Sequence, residues 1–159
     1  MARKDITMTD DEVQNFLSTA RTLYVTTNGP RGYPHIAPMW YLMTDGKVGF
    51  RSFSKSQKIV NMTRDPHLTV LAEEGDTYAE LRGVMIHGTA TLLEDRDLVL
   101  DWYGQLAARY AFFGGEPTPG MDREQLEAAF GRYAAKNTAV IVEPVRVISW
   151  DHRKLGGAY

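Results

Sequence analysis

Three strand-forming runs lie close together in the first third of the chain, joined by turns too short to hold a helix. Thr22-Leu23-Tyr24-Val25-Thr26-Thr27 is rich in β-branched and aromatic side chains. Asn28-Gly29-Pro30-Arg31-Gly32 supplies turn formers, and Tyr33 to Met43 is a second extended run. Thr44-Asp45-Gly46-Lys47 then turns tightly into Val48-Gly49-Phe50-Arg51-Ser52. Parallel neighbours need a crossover of roughly a dozen residues or more, so the sheet must be at least partly antiparallel.

The rest of the chain alternates strand and helix signals around that meander. Thr9-Asp10-Asp11-Glu12 has capping-box spacing, and Val13, Phe16 and Leu17 give a short helix its apolar face as far as Ala20. Ser56 to Arg64 reads as a second helix, seated by Ile59, Val60 and Met62 and stopped by Asp65-Pro66. His67 to Ala72 is a fourth strand, and Glu73-Glu74-Gly75-Asp76 turns into a long fifth one from Ala79 to Leu93. Leu98, Trp102, Leu106 and Tyr110 recur every four residues in a helix that ends at the turn residues from Gly114 to Gly120. A further helix spans Asp122 to Ala135, and Thr138 to Trp150 is a sixth strand with Pro144 inside it. The expected fold is mainly β, with six or so largely antiparallel strands: a small barrel with helices packed outside, attractive because closure removes exposed strand edges, or an open sheet packed against the helices, which periodicity does not distinguish.

Composition narrows the class. The 159 residues fit one domain, and 43% hydrophobic with 24% charged residues suits a globular core. A net charge of −2 without a dense cationic run argues against nucleic acid. Zero cysteines exclude disulfides and thiolate chemistry and point to the cytoplasm. The basic residues at the N-terminus precede no apolar run, unlike a secretory signal, and no stretch approaches the ~20 apolar residues of a membrane helix.

Candidate chemistry collects at one junction. Arg51-Ser52-Phe53-Ser54-Lys55-Ser56-Gln57-Lys58 leaves a strand and opens a helix, where free N–H groups, hydroxyls and two lysines can hold a phosphate; a solvated helix start has the same pattern. Pro38-Met39-Trp40-Tyr41 offers flat, polarizable side chains to an aromatic ring, or simply fills sheet core. His35, His67, His87 and His152 are scattered without ligand spacing, so no metal centre is expected, and no G-x-S-x-G elbow exposes a serine nucleophile. Trp150 to Gly157 sets an aromatic plate beside two cations, in a tail that either docks or frays.

Taken together, the chain resembles the pyridoxamine 5′-phosphate oxidase-like split β-barrel family, and within it the flavin/deazaflavin oxidoreductases with their F420-dependent branch. The resemblance spans nearly the whole chain. It rests on the capped first helix, Gly32-Tyr33-Pro34-His35 leading to Pro38-Met39-Trp40, the Ser-x-Lys-Ser-x-Lys junction with Asn61, Asp65-Pro66, and Gly83-x-x-x-x-Gly88-x-Ala90. It implies an FMN-binding split barrel over residues 1–159, acting as a homodimer with coenzyme sites between subunits. A helical insertion at about 95–135 would wall the pocket and choose the substrate.

The resemblance further implies that Arg51, Ser52, Phe53, Ser54, Lys55 and Lys58 hold the coenzyme phosphate. Pro38, Met39 and Trp40 would line its ring, and Trp150 and Lys154 would reach the site from the partner subunit. Arg153-Lys154-Leu155-Gly156-Gly157 replaces the Arg-Leu-x-Pro closure of true pyridoxamine phosphate oxidases, which turns the expectation away from pyridoxine phosphate. The leading expectation is an F420-dependent oxidoreductase that moves hydride between reduced deazaflavin and an unsaturated small molecule, with Lys4, Arg21, Lys136 and Arg153 as candidates for an oligoglutamyl groove. The alternatives are an FMN-dependent oxidase-like enzyme or flavin reductase, and a non-catalytic carrier of F420, haem or a tetrapyrrole. No residue is assigned as the proton donor.

Overall fold

A computed structural model describes residues 5–157. Its order is α1 (Asp10–Thr19), β1 (Leu23–Asn28), β2 (Pro34–Met39), β3 (Leu42–Thr44), β4 (Lys47–Phe53), α2 (Gln57–Arg64), β5 (His67–Glu74), β6 (Arg82–Leu93), α3 (Arg96–Arg109), α4 (Arg123–Ala134) and β7 (Asn137–Asp151). All seven strands form one antiparallel sheet in the order β2-β1-β5-β6-β7-β4-β3.

The two edges of that sheet, β2 and β3, are consecutive in the chain and separated only by Trp40 and Tyr41. Laid flat, seven strands would set their edges about 29 Å apart. Three peptide steps from Met39 to Leu42 reach at most about 11 Å. The sheet therefore has to roll until the linked ends of its two edges meet at a seam, which gives a curled half-barrel with the rest of the edges unpaired. This also accounts for seven strands where six are expected, because the single run read from Tyr33 to Met43 divides at the seam. Another difference lies before β6, where Tyr78–Glu80 makes a 3-10 turn in place of the start of the expected strand.

Pro34 and Pro38 keep the seam open. A proline has no N–H to give to the β1 ladder, so both fit only where the missing donor faces the free edge of β2. Of the outward-facing positions 34, 36 and 38 that edge consequently keeps only the Ile36 N–H as a donor towards β3.

Local chemistry sets the other boundaries. Thr9 Oγ1 accepts from the Glu12 N–H at 3.2 Å while Glu12 Oε2 accepts from the Thr9 N–H at 2.7 Å, completing the expected capping box. Asp45 and Gly46 both have positive φ, 48° and 75°, as a type I′ turn requires, and close the two-residue β3–β4 hairpin. Pro144 is accommodated by a register shift at His87/Gly88, where Gly88 pairs with Pro144 and Val145 is left over as a bulge.

Two apolar clusters follow from strand alternation. Val25, Val48, Phe50, Val70, Val84 and Val142 point into the barrel, with Phe16 and Leu17 of α1 and Ile59 and Met62 of α2. On the outer side, α3 and α4 bury Trp102, Leu106, Leu126 and Phe130 against Leu42 and Ala139. Trp102 lies directly over Gly49, where an added Cβ would stand 2.8 Å from its Cη2. The outer face of β2, β1, β5, β6 and the second half of β7 carries no helix, although Tyr24, Ile36, Pro38, Leu71, Met85 and Ile148 give it an apolar surface.

The segments at either end lie together. The Asp151 N–H donates to the Ile6 carbonyl at 2.8 Å, the Met8 N–H donates to Ser149 Oγ at 3.0 Å, and Lys154 Nζ pairs with Glu12 Oε2 at 2.6 Å.

Gly49→Ala overpacks the seat of α3 and should destabilise the protein by about 1–3 kcal/mol in urea unfolding. Gly114→Ala, where nothing lies within 4 Å, separates this steric cost from that of a left-handed backbone. Equal losses for both variants would mean that the Trp102 contact does not set the helix position.

Candidate functional site

Strand alternation splits the Arg51–Lys58 segment between the two faces of β4. Phe50 and Ser52 face the barrel, whereas Gly49 and Arg51 face α3. On the barrel side, Lys58 Nζ donates to Ser52 Oγ at 3.3 Å, and Ser52 Oγ lies 3.0 Å from Ser56 Oγ. Ser56 is the N-cap residue of α2 but spends its hydroxyl on Ser52, so the first turn of α2 has no side-chain cap and no acidic residue. Lys58 has no carboxylate partner among the described residues, and burial lowers its pKa. This is a hydroxyl, ammonium and open helix start gathered without an anion of the protein's own.

Behind that cluster, Asn61 is fully buried and holds the helix in place. Its Nδ2 donates to Thr27 Oγ1 at 3.0 Å, and its Oδ1 accepts from Gln57 Nε2 at 2.8 Å.

Phe53, Ser54 and Lys55 border a separate cavity of about 630 Å³ together with Glu94, Arg96 and the Ala134–Asn137 segment. Ser54 Oγ bonds Thr138 Oγ1 at 2.8 Å, so its hydroxyl already has a partner. Lys136 lies on the same rim as Lys55.

Pro38, Met39 and Trp40 meet Arg51 and Thr22 at the seam, around a cavity of about 330 Å³. Tyr41 is the bolt beneath it. It is fully buried, and its hydroxyl donates to the Leu17 carbonyl at 2.5 Å. Its own carbonyl accepts from Arg109 Nη1 and from Tyr110 Oη, each at 3.3 Å. Trp40 turns the other way, stacking on Tyr110 at 4.7 Å and meeting the edge of Phe112 at 4.8 Å.

Arg51 has one hydrogen bond, from Nη1 to Asn137 Oδ1 at 3.3 Å, and its guanidinium lies 4.3 Å over the Tyr103 ring. Its Nε is buried without a partner, no carboxylate pairs with it among the described residues, and burial lowers its pKa. The same side chain borders a further cavity, of about 440 Å³, between α3 and α4. Sequence reading missed that aromatic cavity. The available signal was Tyr103, Phe112, Phe113, Phe130 and Tyr133, five aromatic residues within the stretch expected to be a helical insertion.

Trp150 and Lys154 stand at the opposite end of β7 from Phe53, which pairs with Asn137. The run from 137 to 150 covers about 43 Å of extended chain. Lys154 is held there by Glu12 and the Thr7 carbonyl, and Arg153 by Asp151. The basic-groove candidates are likewise dispersed, with Arg21 on Tyr110, Lys136 at the larger cavity and Arg153 at the far end; Lys4 lies outside the described residues. One protomer thus brings Pro38–Trp40 to Arg51 and Lys58 to Ser52, but neither set to Trp150 or Lys154. Among the described residues no group of three acidic or histidine side chains is arranged to hold a metal, and no helix is long and apolar enough to cross a membrane.

Burial raises the Tyr41 pKa to about 12. An unfolded tyrosine ionises near 10, so between about pH 10 and 12 the folded chain binds the extra proton and its stability falls as pH rises. Below pH 10 that contribution is intact. Tyr41→Phe should flatten the alkaline limb of a stability–pH profile by up to about 2 kcal/mol between pH 9 and 12. An unaltered limb would mean that Tyr41 ionises freely in the folded state.

Comparison with known proteins follows this geometry. The sequence profile of the pyridoxamine 5′-phosphate oxidase family matches residues 9–151. A crystal structure of a conserved hypothetical protein from Mycobacterium tuberculosis is 35% identical, covers 98% of this chain and 92% of its own, and superposes with a TM-score of 0.84. An F420 reductase is 19% identical over 85% of this chain and 94% of its own, with a TM-score of 0.63. An FAD-binding protein from Mesorhizobium loti is 19% identical over 90% and 94%, with a TM-score of 0.65. The curated proteins include no match.

Proposed function

Because this chain belongs to the pyridoxamine 5′-phosphate oxidase family, we propose that it is an oxidoreductase using F420, with its ring at the seam and its phosphate at the start of α2. The observation that carries this reading is the Lys58–Ser52–Ser56 cluster beneath an uncapped helix start, an anion cradle for which the described residues provide no carboxylate. Lys55 and Ser54 flank it on the other face of the junction.

Pro38, Met39 and Trp40 supply a flat apolar wall for the ring, and Arg51 closes the same cavity. A reduced coenzyme held there would supply the hydride for a conjugated double bond, with the balancing proton drawn from solvent at the open mouth of the cavity. The chain's own part is to fix the ring against Trp40 and set positive charge beside the substrate. No triad is needed for that chemistry.

The functional unit in this reading is a homodimer formed through the helix-free outer sheet face, which its apolar surface supports. Only a second copy could bring Trp150 and Lys154 towards the seam.

Replacing Lys55 and Lys58 together with alanine should weaken F420 binding at least roughly tenfold, with the loss shrinking as salt rises. Fluorescence titration reads this directly, and unchanged affinity would remove the phosphate assignment. FMN is the second reading, favoured by the FAD-binding relative of the same fold. Titrating FMN into the same preparation decides between them: tighter FMN than F420 binding displaces the deazaflavin. Binding of either without turnover of any conjugated acceptor would make the protein a carrier.

A further inference from the structure

The cavity between α3 and α4 has a chemistry of its own. Tyr103 and Phe130 stack at 4.6 Å at its base, Phe112 stands edge-on to Phe130 at 5.1 Å, and Phe113 stacks on Phe130 at 5.7 Å. Phe113 is 61% exposed, on a loop that continues into Gly114 and Gly115, both at positive φ. Five aromatic rings around about 440 Å³ make a slot for a flat ligand, and such a volume lies within the range of small-molecule sites.

Charge is supplied from two sides. Arg51 brings the buried, unpartnered Nε described above. Arg132 lies over the Tyr133 ring at 4.7 Å, donates to its hydroxyl at 2.7 Å and has no ion-pair partner among the described residues. A buried guanidinium lacking a counter-ion is costly to keep, and a carboxylate accepting from its planar edge is the group that satisfies it best.

We propose that this cavity binds a planar aromatic or conjugated carboxylate, with its ring laid against the exposed Phe113 and its carboxylate on Arg51. Arg51 borders the seam cavity as well, and Trp40 touches Phe112 across the same wall. A ligand held here therefore lies one side chain away from the proposed coenzyme ring. Its assignment as the substrate rests on the redox reading above, whereas its recognition by the cavity does not. The sequence difference that matters is then the insertion, since α3, α4 and the loop between them supply every aromatic group of the slot.

The test uses 2-naphthoate, titrated calorimetrically into the full chain without coenzyme. Saturable binding at one site per chain is expected, with 2-naphthamide, which keeps the ring and loses the charge, at least roughly tenfold weaker. Arg51→Met and Phe113→Ala should each weaken naphthoate at least roughly tenfold. Because Arg51→Met disturbs a buried position, Phe113→Ala on the exposed loop serves as the variant that retains its fold, checked by thermal melting. Equal binding of acid and amide, or naphthoate affinity untouched in Phe113→Ala, overturns the proposal. Parallel titrations with F420 and FMN keep the two readings apart. Naphthoate bound while both coenzymes are refused sinks the redox reading alone; a coenzyme bound while naphthoate is refused sinks this pocket alone.

Discussion

The two-residue link between β2 and β3 governs this molecule. Trp40 and Tyr41 cannot span a flat seven-stranded sheet, so their brevity forces the sheet to roll, and the alternation of a strand-like pair sends one ring outward and the other into the core. Tyr41 is then locked by Leu17 from α1 and by Arg109 and Tyr110 at the end of α3, which ties the seam to a helix seated on the barrel core and to one on the outer face of the sheet. Trp40 lines the seam cavity and touches Phe112 on the wall of the next one for the same reason. The position of the candidate site is therefore a by-product of closing the fold.

The same alternation explains why a contiguous motif does not make a contiguous site. Arg51 and Ser52 are neighbours in sequence but face opposite sides of β4, one towards aromatic rings of α3 and the other towards an open helix start. A linear reading of Arg51–Lys58 as one anion grip merges two environments: a hydroxyl-lined cradle for a compact, highly charged group, and a guanidinium plane set among aromatic rings. Ser54, already bonded to Thr138, belongs to neither.

Much of the fold was legible in the sequence because local rules and tertiary demands agree. The capping box at Thr9, the Asp45-Gly46 turn and the stop at Asp65-Pro66 all stand where turn and cap chemistry put them. The division of the run from Tyr33 to Met43 was not legible, since Trp40 and Tyr41 are themselves good strand residues and only the rolled sheet separates them. Of the candidate site, Lys58 with Ser52 and the run Pro38–Trp40 could be picked out by motif, whereas Arg51 was read with the phosphate segment and stands instead beside Pro38–Trp40. The aromatic slot could not, because its rings come from two helices and a loop whose periodicity reports burial and says nothing about which rings remain open to a ligand.

Pro34 and Pro38 also bear on how a single copy behaves among many others. A rolled sheet with an unzipped seam presents strand edges of the kind that neighbouring molecules extend into fibres, and β2 is the longer of the two. Stripped of two donors, that edge makes a poor template for another chain's backbone. The prolines that leave this edge unzipped thereby guard crowded, newly made copies against polymerising through it.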